Sequence, residues 1–342
     1  MQNIYNLTLN ELEDYFISKN DKKFRATQIY DFLYKKRNED IDTYSNIPKN
    51  IKEVLKKEFS FYKIKIIDKQ EDEGVKKYLF ELEDNNHIES VVMYHDYGIS
   101  ICVSSQIGCN MGCRFCQSGR LKKVRDLEPY EIVEQILLIE EDIKERITHV
   151  VVMGIGEPLD NYNNVIKFIH IINSPQGINI GTRHITVSTC GIVPKIDKFS
   201  EEEGQVNLAI SLHAPNDELR KKIMPIAKIY PLDELIESVK RYIKKTNRRI
   251  TFEYILLENI NDSNECAYEL ARLLKGLNAY VNLIPYNETE NSLFSRTKNV
   301  QIKAFYDILK KSNITVTIRR EFGGKVDAAC GQLRANHENR GE

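Results

Sequence analysis

Three cysteines within eight residues, Cys109-Asn110-Met111-Gly112-Cys113-Arg114-Phe115-Cys116, constrain this chain more than any other feature. The spacing C-x3-C-x2-C puts three thiolates on one short loop. Cysteine thiolate is the usual protein ligand of iron–sulfur clusters, and three can hold three irons of a [4Fe–4S] cube while the fourth stays open. The spacing differs from the C-x2-C pairs of zinc ribbons and from the two-cluster ferredoxin run, which adds a fourth cysteine and a proline. An open iron suits a cluster that binds a substrate as well as passing electrons. Two plainer readings stay open here: a structural zinc knuckle, or buried thiols that cluster without a metal.

A chain of 342 residues can bury a substantial core and holds one large domain with an accessory module. No apolar run approaches the ~20 residues that a spanning helix needs. Met1-Gln2-Asn3-Ile4-Tyr5 has no basic region leading into an apolar stretch, so no signal peptide is read and a cytoplasmic, membrane-free protein is expected. Seven cysteines, an odd number, favour a reducing compartment and metal or redox chemistry over a disulfide framework. The net charge of −1 gives no global attraction to a polyanion. Two local runs are basic, Arg120-Leu121-Lys122-Lys123-Val124-Arg125 and Lys240 to Arg249. Such runs can meet phosphates, although a solvated helix face is their commoner meaning.

Residues 1–58 read as helical, with apolar residues at helical spacing over Leu9–Phe16 and Phe24–Tyr34. There Tyr30, Phe32 and Tyr34 lie next to Lys35, Lys36 and Arg37, an interleaving that predicts an RNA-docking module. Over 59–98, short strand-like runs (Lys63–Ile66, Lys77–Leu82) are separated by turns at Glu71–Gly74 and Asp84–Asn86, which predicts a β-hairpin extension. Residues 99–320 then alternate. Strand candidates are Ile99–Ser104, Thr148–Met153, His184–Ser188, Val206–Ser211, Thr251–Leu256, Ala279–Ile284 and Ile314–Ile318. Amphipathic segments such as Tyr130–Glu141, Leu232–Lys245, Cys266–Lys275 and Gln301–Lys311 lie between them. Alternation at intervals of roughly 25–45 residues predicts βα units and a parallel sheet. Residues 321–342 form a C-terminal tail.

The polar and glycine-bearing motifs fall after these strands: Cys109–Cys116, Gly154-Ile155-Gly156-Glu157-Pro158, Ser188-Thr189-Cys190-Gly191, Ser211-Leu212-His213 and Pro285-Tyr286-Asn287. In barrel-type α/β folds the site is built at the carboxyl ends of the strands. Motifs from five distant stretches therefore converge on one face.

Over nearly its whole length the chain resembles the RlmN/Cfr family of radical S-adenosylmethionine (SAM) RNA adenine methyltransferases. The resemblance is carried by Phe24-Arg25-Ala26-Thr27-Gln28-Ile29-Tyr30, Glu89-Ser90-Val91, Cys102–Cys109, Met153–Leu159, Leu208–Ala214, Asn282–Asn287 and Asp327–Leu333. It implies an α/β fold: an incomplete (β/α)6 radical SAM barrel joined to an N-terminal helical RNA-recognition module. It also implies that Cys109, Cys113 and Cys116 bind one [4Fe–4S] cluster whose open iron chelates SAM. Gly156, Glu157, Ser188, Ser211, Leu212, His213 and Asn287 become SAM contacts, and Phe115 packs against the cluster.

Carbon 2 of adenine is electrophilic and cannot attack a methyl cation, whereas a carbon radical can add to it; cofactors carry such radical chemistry. The resemblance implies two SAM molecules per turnover. The first methylates Cys330. The second yields a radical that takes hydrogen from the S-methyl group, and the methylene adds to the adenine as a protein–RNA adduct. Cys102 then attacks the Cys330 sulfur, forming a disulfide as the base leaves, and Glu89 is the candidate base for the carbon-2 proton. Family members act on an adenine in the peptidyl transferase centre of 23S rRNA, before ribosome assembly is complete, and some also on adenine 37 of tRNA. A monomer that takes electrons from flavodoxin or ferredoxin is expected.

Each residue also has a plainer meaning. Cys102 alone would be a small buried hydrophobe in a strand, Glu89 a surface charge, and His213 a satisfied strand-end histidine. Cys266 reads as helix packing, and Cys190 as a wall of the SAM pocket where many carbon-2 enzymes carry serine. Pro158 favours the carbon-2 branch over the carbon-8 branch that confers antibiotic resistance, where alanine is expected. A non-catalytic iron–sulfur or zinc RNA-binding protein would need the cysteine loop but not Cys102, Cys330 and the strand-end motifs together.

Overall fold

The computed structural model describes residues 1–37, 40–288 and 293–319. The chain begins with β1 (Gln2–Asn3), α1 (Leu9–Ser18), α2 (Phe24–Tyr30) and α3 (Lys49–Glu58), and β2 (Phe59–Ser60) returns to pair in parallel with β1. Thr8 and Glu11 form a reciprocal capping box that starts α1, satisfying donors the helix itself leaves open.

This helical module is not a separate body. Ile4, Tyr5, Phe16, Tyr30 and Tyr34 belong to the same hydrophobic core as Tyr130, Phe168 and Ile169 of the barrel helices. Asn6 clamps the junction: its Nδ2 donates to Glu128 Oε2 at 2.6 Å and its Oδ1 accepts the Tyr130 N–H at 2.9 Å. The sequence reading offered Tyr30, Phe32 and Tyr34 to RNA. Their exposures are 0%, 4% and 1%, so these rings are core, and only Lys35 and Lys36 beside them are exposed. Burying a large aromatic ring gains more than leaving it in water, and the helical spacing that exposes the lysines turns the rings inward.

Three antiparallel strands follow, β3 (Lys65–Asp72), β4 (Val75–Glu81) and β5 (His87–His95), and β5 pairs with β6 (Gly98–Cys102). A small ladder of β7 (Gln106–Ile107) and β8 (Arg125–Asp126) closes the cysteine loop. The alternating part runs α4 (Pro129–Ile143), β9 (His149–Val152), α5 (Tyr162–Asn173), β10 (Ile185–Thr189), α6 (Val193–Glu202) and β11 (Asn207–Ser211). It continues through α7 (Asp217–Ile223), α8 (Leu232–Thr246), β12 (Ile250–Leu256), α9 (Asn264–Leu273), β13 (Ala279–Pro285), α10 (Asn299–Lys311) and β14 (Thr315–Ile318).

All the strands but the β1–β2 and β7–β8 pairs make one ten-stranded sheet in the order β14-β13-β12-β11-β10-β9-β6-β5-β4-β3. Every pairing from β6 through β14 in this sheet is parallel, each joined by a helical crossover, so the chain builds a (β/α) barrel. The barrel is incomplete: among the described residues β14 and β3 are the sheet's two edges and do not pair. The hairpin extension is therefore no appendage, because it continues the barrel wall beyond β6. Among the described residues no helix is long and apolar enough to cross a membrane.

The first barrel strand ends earlier than the periodicity suggested. Beyond Cys102 the chain leaves the ladder because Ser104 is claimed elsewhere. Its N–H donates to Gln135 Oε1 of α4 at 2.8 Å, and its hydroxyl donates to the Glu89 carbonyl at 2.6 Å.

Candidate active site

The cysteine loop is pinned at both ends. Cys109 N–H donates to Leu121 O at 3.0 Å and Arg114 N–H to Ile223 O at 2.9 Å. Gly108, just before Cys109, has φ 73°, and a Cβ there would stand 2.3 Å from Lys122 O, so only glycine lets the loop close. Phe115 packs edge-on against His213, with centroids 4.7 Å apart.

Cys109, Cys113 and Cys116 line one cavity together with Gly156, Glu157, Ser188, Ser211 and His213, and it holds about 890 Å3 of empty space including its mouth. The strand ends thus do converge. Leu212 and Asn287 stand apart from the lining. Leu212 is fully buried in the core and presents only its backbone, while Asn287 Oδ1 accepts from Arg296 Nη1 at 3.3 Å.

Gly156 (φ 113°) lets the β9–α5 loop lie against Gln106, where a Cβ would meet the Gln106 Cβ at 2.7 Å. The next carboxylate, Glu157, is buried and firmly held: Oε1 accepts Leu159 N–H at 3.1 Å and Oε2 accepts Cys190 N–H at 2.7 Å. Burial raises its pKa, and these backbone donors oppose that rise. A cationic ligand group is what such a carboxylate awaits.

His213 Nδ1 accepts the Ile255 N–H at 3.0 Å, so the ring carries its proton on Nε2 and is neutral. Burial, with the Arg220 charge added to it, pushes its pKa down to about 3.

Burial pushes the Cys109 thiol up to about 12 and Cys113 well above its usual value, with the neighbouring thiols adding to both. Three mutually close, desolvated thiols cannot all ionise unless cations balance them, and this donor set fits a metal cluster. Among the described residues no group of three or more His, Cys, Asp or Glu side chains is arranged to hold a metal ion. Each thiolate of a cube binds its own iron, so a cluster cradle is set wider than the ligands of a single ion.

The register places Cys102 and Glu89 together. Val91 of β5 faces Cys102 of β6, and Glu89 lies two residues from Val91 on the same side of the sheet. Cys102 packs with Val75, Val91, Met93 and Ile155 on the barrel's inner face. Cys330 lies outside the described residues. Cys266 is a buried helix residue in the core, as its pattern indicated, and Cys190 lines the cavity.

Several site residues escaped the sequence reading. Arg220 is wholly buried; it donates to Cys190 O at 2.6 Å and Leu212 O at 3.2 Å, and Nη1 has no hydrogen-bond partner among the described residues. Glu253 and Arg319 border both this cavity and a second, more polar and open one, which runs past Tyr97, Arg249, Thr251 and Tyr280 at the amino ends of the strands. Burial raises the Glu253 pKa, opposed by Arg319 and by Asn282, which donates at 2.9 Å. The basic runs proved mostly self-satisfied. Arg125 bridges Asp84 and Glu131, Lys123 meets Asp126 and Asp160, and Lys240, Arg241 and Lys245 of α8 pair with Glu237, Asp197 and Glu201.

Comparison with known proteins resolves the family. Residues 103–271 match the model of the radical SAM superfamily, and residues 2–60 match that of a ribosomal RNA large subunit methyltransferase N-terminal domain. A protein of Geobacillus kaustophilus named "Probable dual-specificity RNA methyltransferase RlmN" is 52% identical over 98% of this chain and 93% of its own length. One of the same name from Spiroplasma citri is 48% identical over 99% of both chains. This chain belongs to the RlmN family of radical SAM RNA methyltransferases. The crystal structure of a radical SAM methyltransferase from Sphaerobacter thermophilus superposes with a TM-score of 0.92 at 40% identity, covering 98% of this chain and 99% of that one. RlmN membership makes the chain an enzyme of the iron–sulfur and SAM class, and its cysteine loop lines the cavity at the strand ends.

Proposed function

We propose that this enzyme methylates carbon 2 of one adenine in the peptidyl transferase centre of 23S rRNA, and adenine 37 of tRNA. The reading rests chiefly on one observation: the three loop cysteines share a cavity with Gly156, Glu157, Ser188, Ser211 and His213, beside the inner face that carries Cys102. Cys109, Cys113 and Cys116 hold a [4Fe–4S] cluster. Glu157 and Gly156 receive the SAM amino group, and Ser188, Ser211 and His213 line its remaining surface. When bound, the cluster and SAM supply an electron and a primary carbon radical.

The chain's own residues govern the steps after that. Cys330 carries the methyl group as a thioether. Glu89 takes the proton that leaves carbon 2, and the odd electron of the adduct would return to the bound cluster. Cys102 attacks as thiolate: a sulfur–sulfur bond to Cys330 forms, the sulfur–carbon bond breaks, and its electron pair stays on the methylene carbon, which takes a proton to become methyl. The target base leaves its stack to reach so enclosed a site. The enzyme acts in the cytoplasm as a monomer, on rRNA not yet fully assembled, with flavodoxin or ferredoxin as electron donor.

The test is mass spectrometry of 23S rRNA adenines after the gene is deleted and restored. Loss and return of 2-methyladenine is expected. Loss and return of 8-methyladenine assigns the chain to the resistance branch, and an unmodified pattern in both strains overturns the proposal. Protein purified without oxygen should be brown and cleave SAM on reduction; a colourless protein that binds RNA and leaves SAM intact supports a non-catalytic role.

A further inference from the structure

Lys77 and Glu89 form an ion pair across neighbouring strands of the extension, with Nζ 2.8 Å from Oε1. Both are buried, Lys77 at 6% exposure and Glu89 at 3%. Lys77 is paired with Val91 and Leu79 with Glu89, so the two charged residues are diagonal neighbours on one face of β4 and β5. Val91 is in turn the partner of Cys102. The pair therefore lies on the side of the sheet that faces the barrel interior. Behind it, Ser104 ties the strand to the site: its hydroxyl donates to Glu89 O at 2.6 Å and accepts the Ile155 N–H at 3.0 Å.

Packing alone gives no reason to keep two charges here. Desolvating both ions costs several kcal/mol each, and well-packed apolar residues in place of a buried pair are often neutral or stabilising. A carboxylate shut away from water without a cation tends to take up a proton, which ends its use as a base. An ammonium 2.8 Å away reverses that tendency and fixes the carboxylate's orientation.

We propose that Lys77 is the positioning residue for Glu89: its ammonium keeps the carboxylate ionised and turned toward the adduct, so the antiparallel extension is a working wall of the reaction chamber. This rests on the assignment of Glu89 as the base for the carbon-2 proton. Lys77 neither gives nor receives a proton. Glu89 alone becomes the neutral acid.

The experiment compares Lys77→Met, Lys77→Gln, Lys77→Arg, Glu89→Gln and the double variant Lys77→Met/Glu89→Gln as full-length, cluster-loaded enzymes. Methylation of an rRNA fragment deuterated at carbon 2 is measured alongside covalent RNA adduct on denaturing gels. Removing general-base help typically costs 10²–10⁴-fold. Lys77→Met and Lys77→Gln should lose methylation by about 10²-fold or more, accumulate adduct and show an enlarged deuterium effect, because proton removal becomes limiting. Lys77→Arg should recover most of the rate. The double variant should be no slower than Glu89→Gln, because residues acting as a unit are not additive. Two neutral variants guard against failure to fold, since Lys77→Gln keeps a polar head. Wild-type methylation in either neutral variant, or a loss without adduct or isotope effect, overturns the proposal. An inactive Glu89→Gln beside an active Lys77→Met defeats the Lys77 role alone; an active Glu89→Gln defeats the base assignment with it.

Discussion

Arg220 Nη2 donates to the backbone carbonyl of Cys190 across 2.6 Å, fastening the loop after β10 to α7 inside the wall of the cavity. The same guanidinium holds Leu212 O at the end of β11. Arg220→Met removes both donors and leaves two buried acceptors without them. A loss of about 2–5 kcal/mol of stability is expected, read as a lowered urea midpoint. A variant as stable as the parent shows that the carbonyls find other donors.

Gly156→Ala tests the glycine loop. Its φ of 113° and the 2.7 Å approach to Gln106 leave no room for a methyl group, so Glu157 must move. Strain of about 1–3 kcal/mol and at least tenfold weaker SAM binding are expected, measured by calorimetry and equilibrium dialysis. Unaltered SAM affinity removes Glu157 from the binding role.

Alanine at Cys109, Cys113 or Cys116 is expected to abolish the brown chromophore and all reductive SAM cleavage. The check is iron and sulfide content together with 5′-deoxyadenosine formation. A triple variant that still produces this nucleoside rules out the assigned ligands.

Cys102 and Cys330 should differ when each is changed to alanine. Cys330→Ala blocks the first methyl transfer, so no RNA becomes attached. Cys102→Ala stops at release, and the protein should carry RNA that survives denaturation and is trimmed by nuclease. Soluble, cluster-loaded Cys102→Ala recovered from cells without RNA contradicts that order of events.

His213 gives the fold a pH dependence of known sign. Its pKa is about 3 when folded and 6.5 ordinarily, so between these values the unfolded chain binds a proton that the folded chain refuses. Stability should fall as pH drops below 6.5, by about 2 kcal/mol from this group between pH 7 and 5. His213→Asn is the control: asparagine tolerates the residue's φ of 57° and can accept the Ile255 N–H, but it does not titrate. Parallel urea midpoints for parent and variant at both pH values refute the assignment.

Much of this was legible in sequence because its causes are local. Ligand spacing lies within Cys109–Cys116, and each strand with its polar terminus is a few residues long. What stayed hidden depends on partners far along the chain. Arg220, in Glu218-Leu219-Arg220-Lys221-Lys222, reads as part of a solvated face; Lys221 and Lys222 are indeed exposed, and only the fold shows Arg220 turned inward. Lys77 sits in an ordinary alternating strand, and its meaning appears only with the β4–β5 register. Tyr30, Phe32 and Tyr34 misled for the opposite reason. Basic neighbours suggested RNA, while the shared core had already claimed the rings. Removing residues 1–58 would therefore strip the barrel of part of its own interior, and RNA docking is better examined by changing exposed lysines such as Lys35 and Lys36.

Among the described residues β14 and β3 are the unpaired edges of the sheet, and this has a topological consequence. A closed ring of strands admits only what can pass its rim, which for a long polymer favours a free end. A wall with a lengthwise gap sets no such condition. One nucleotide in the middle of a folded RNA can be presented sideways, its flanking backbone staying outside, without any strand having to thread.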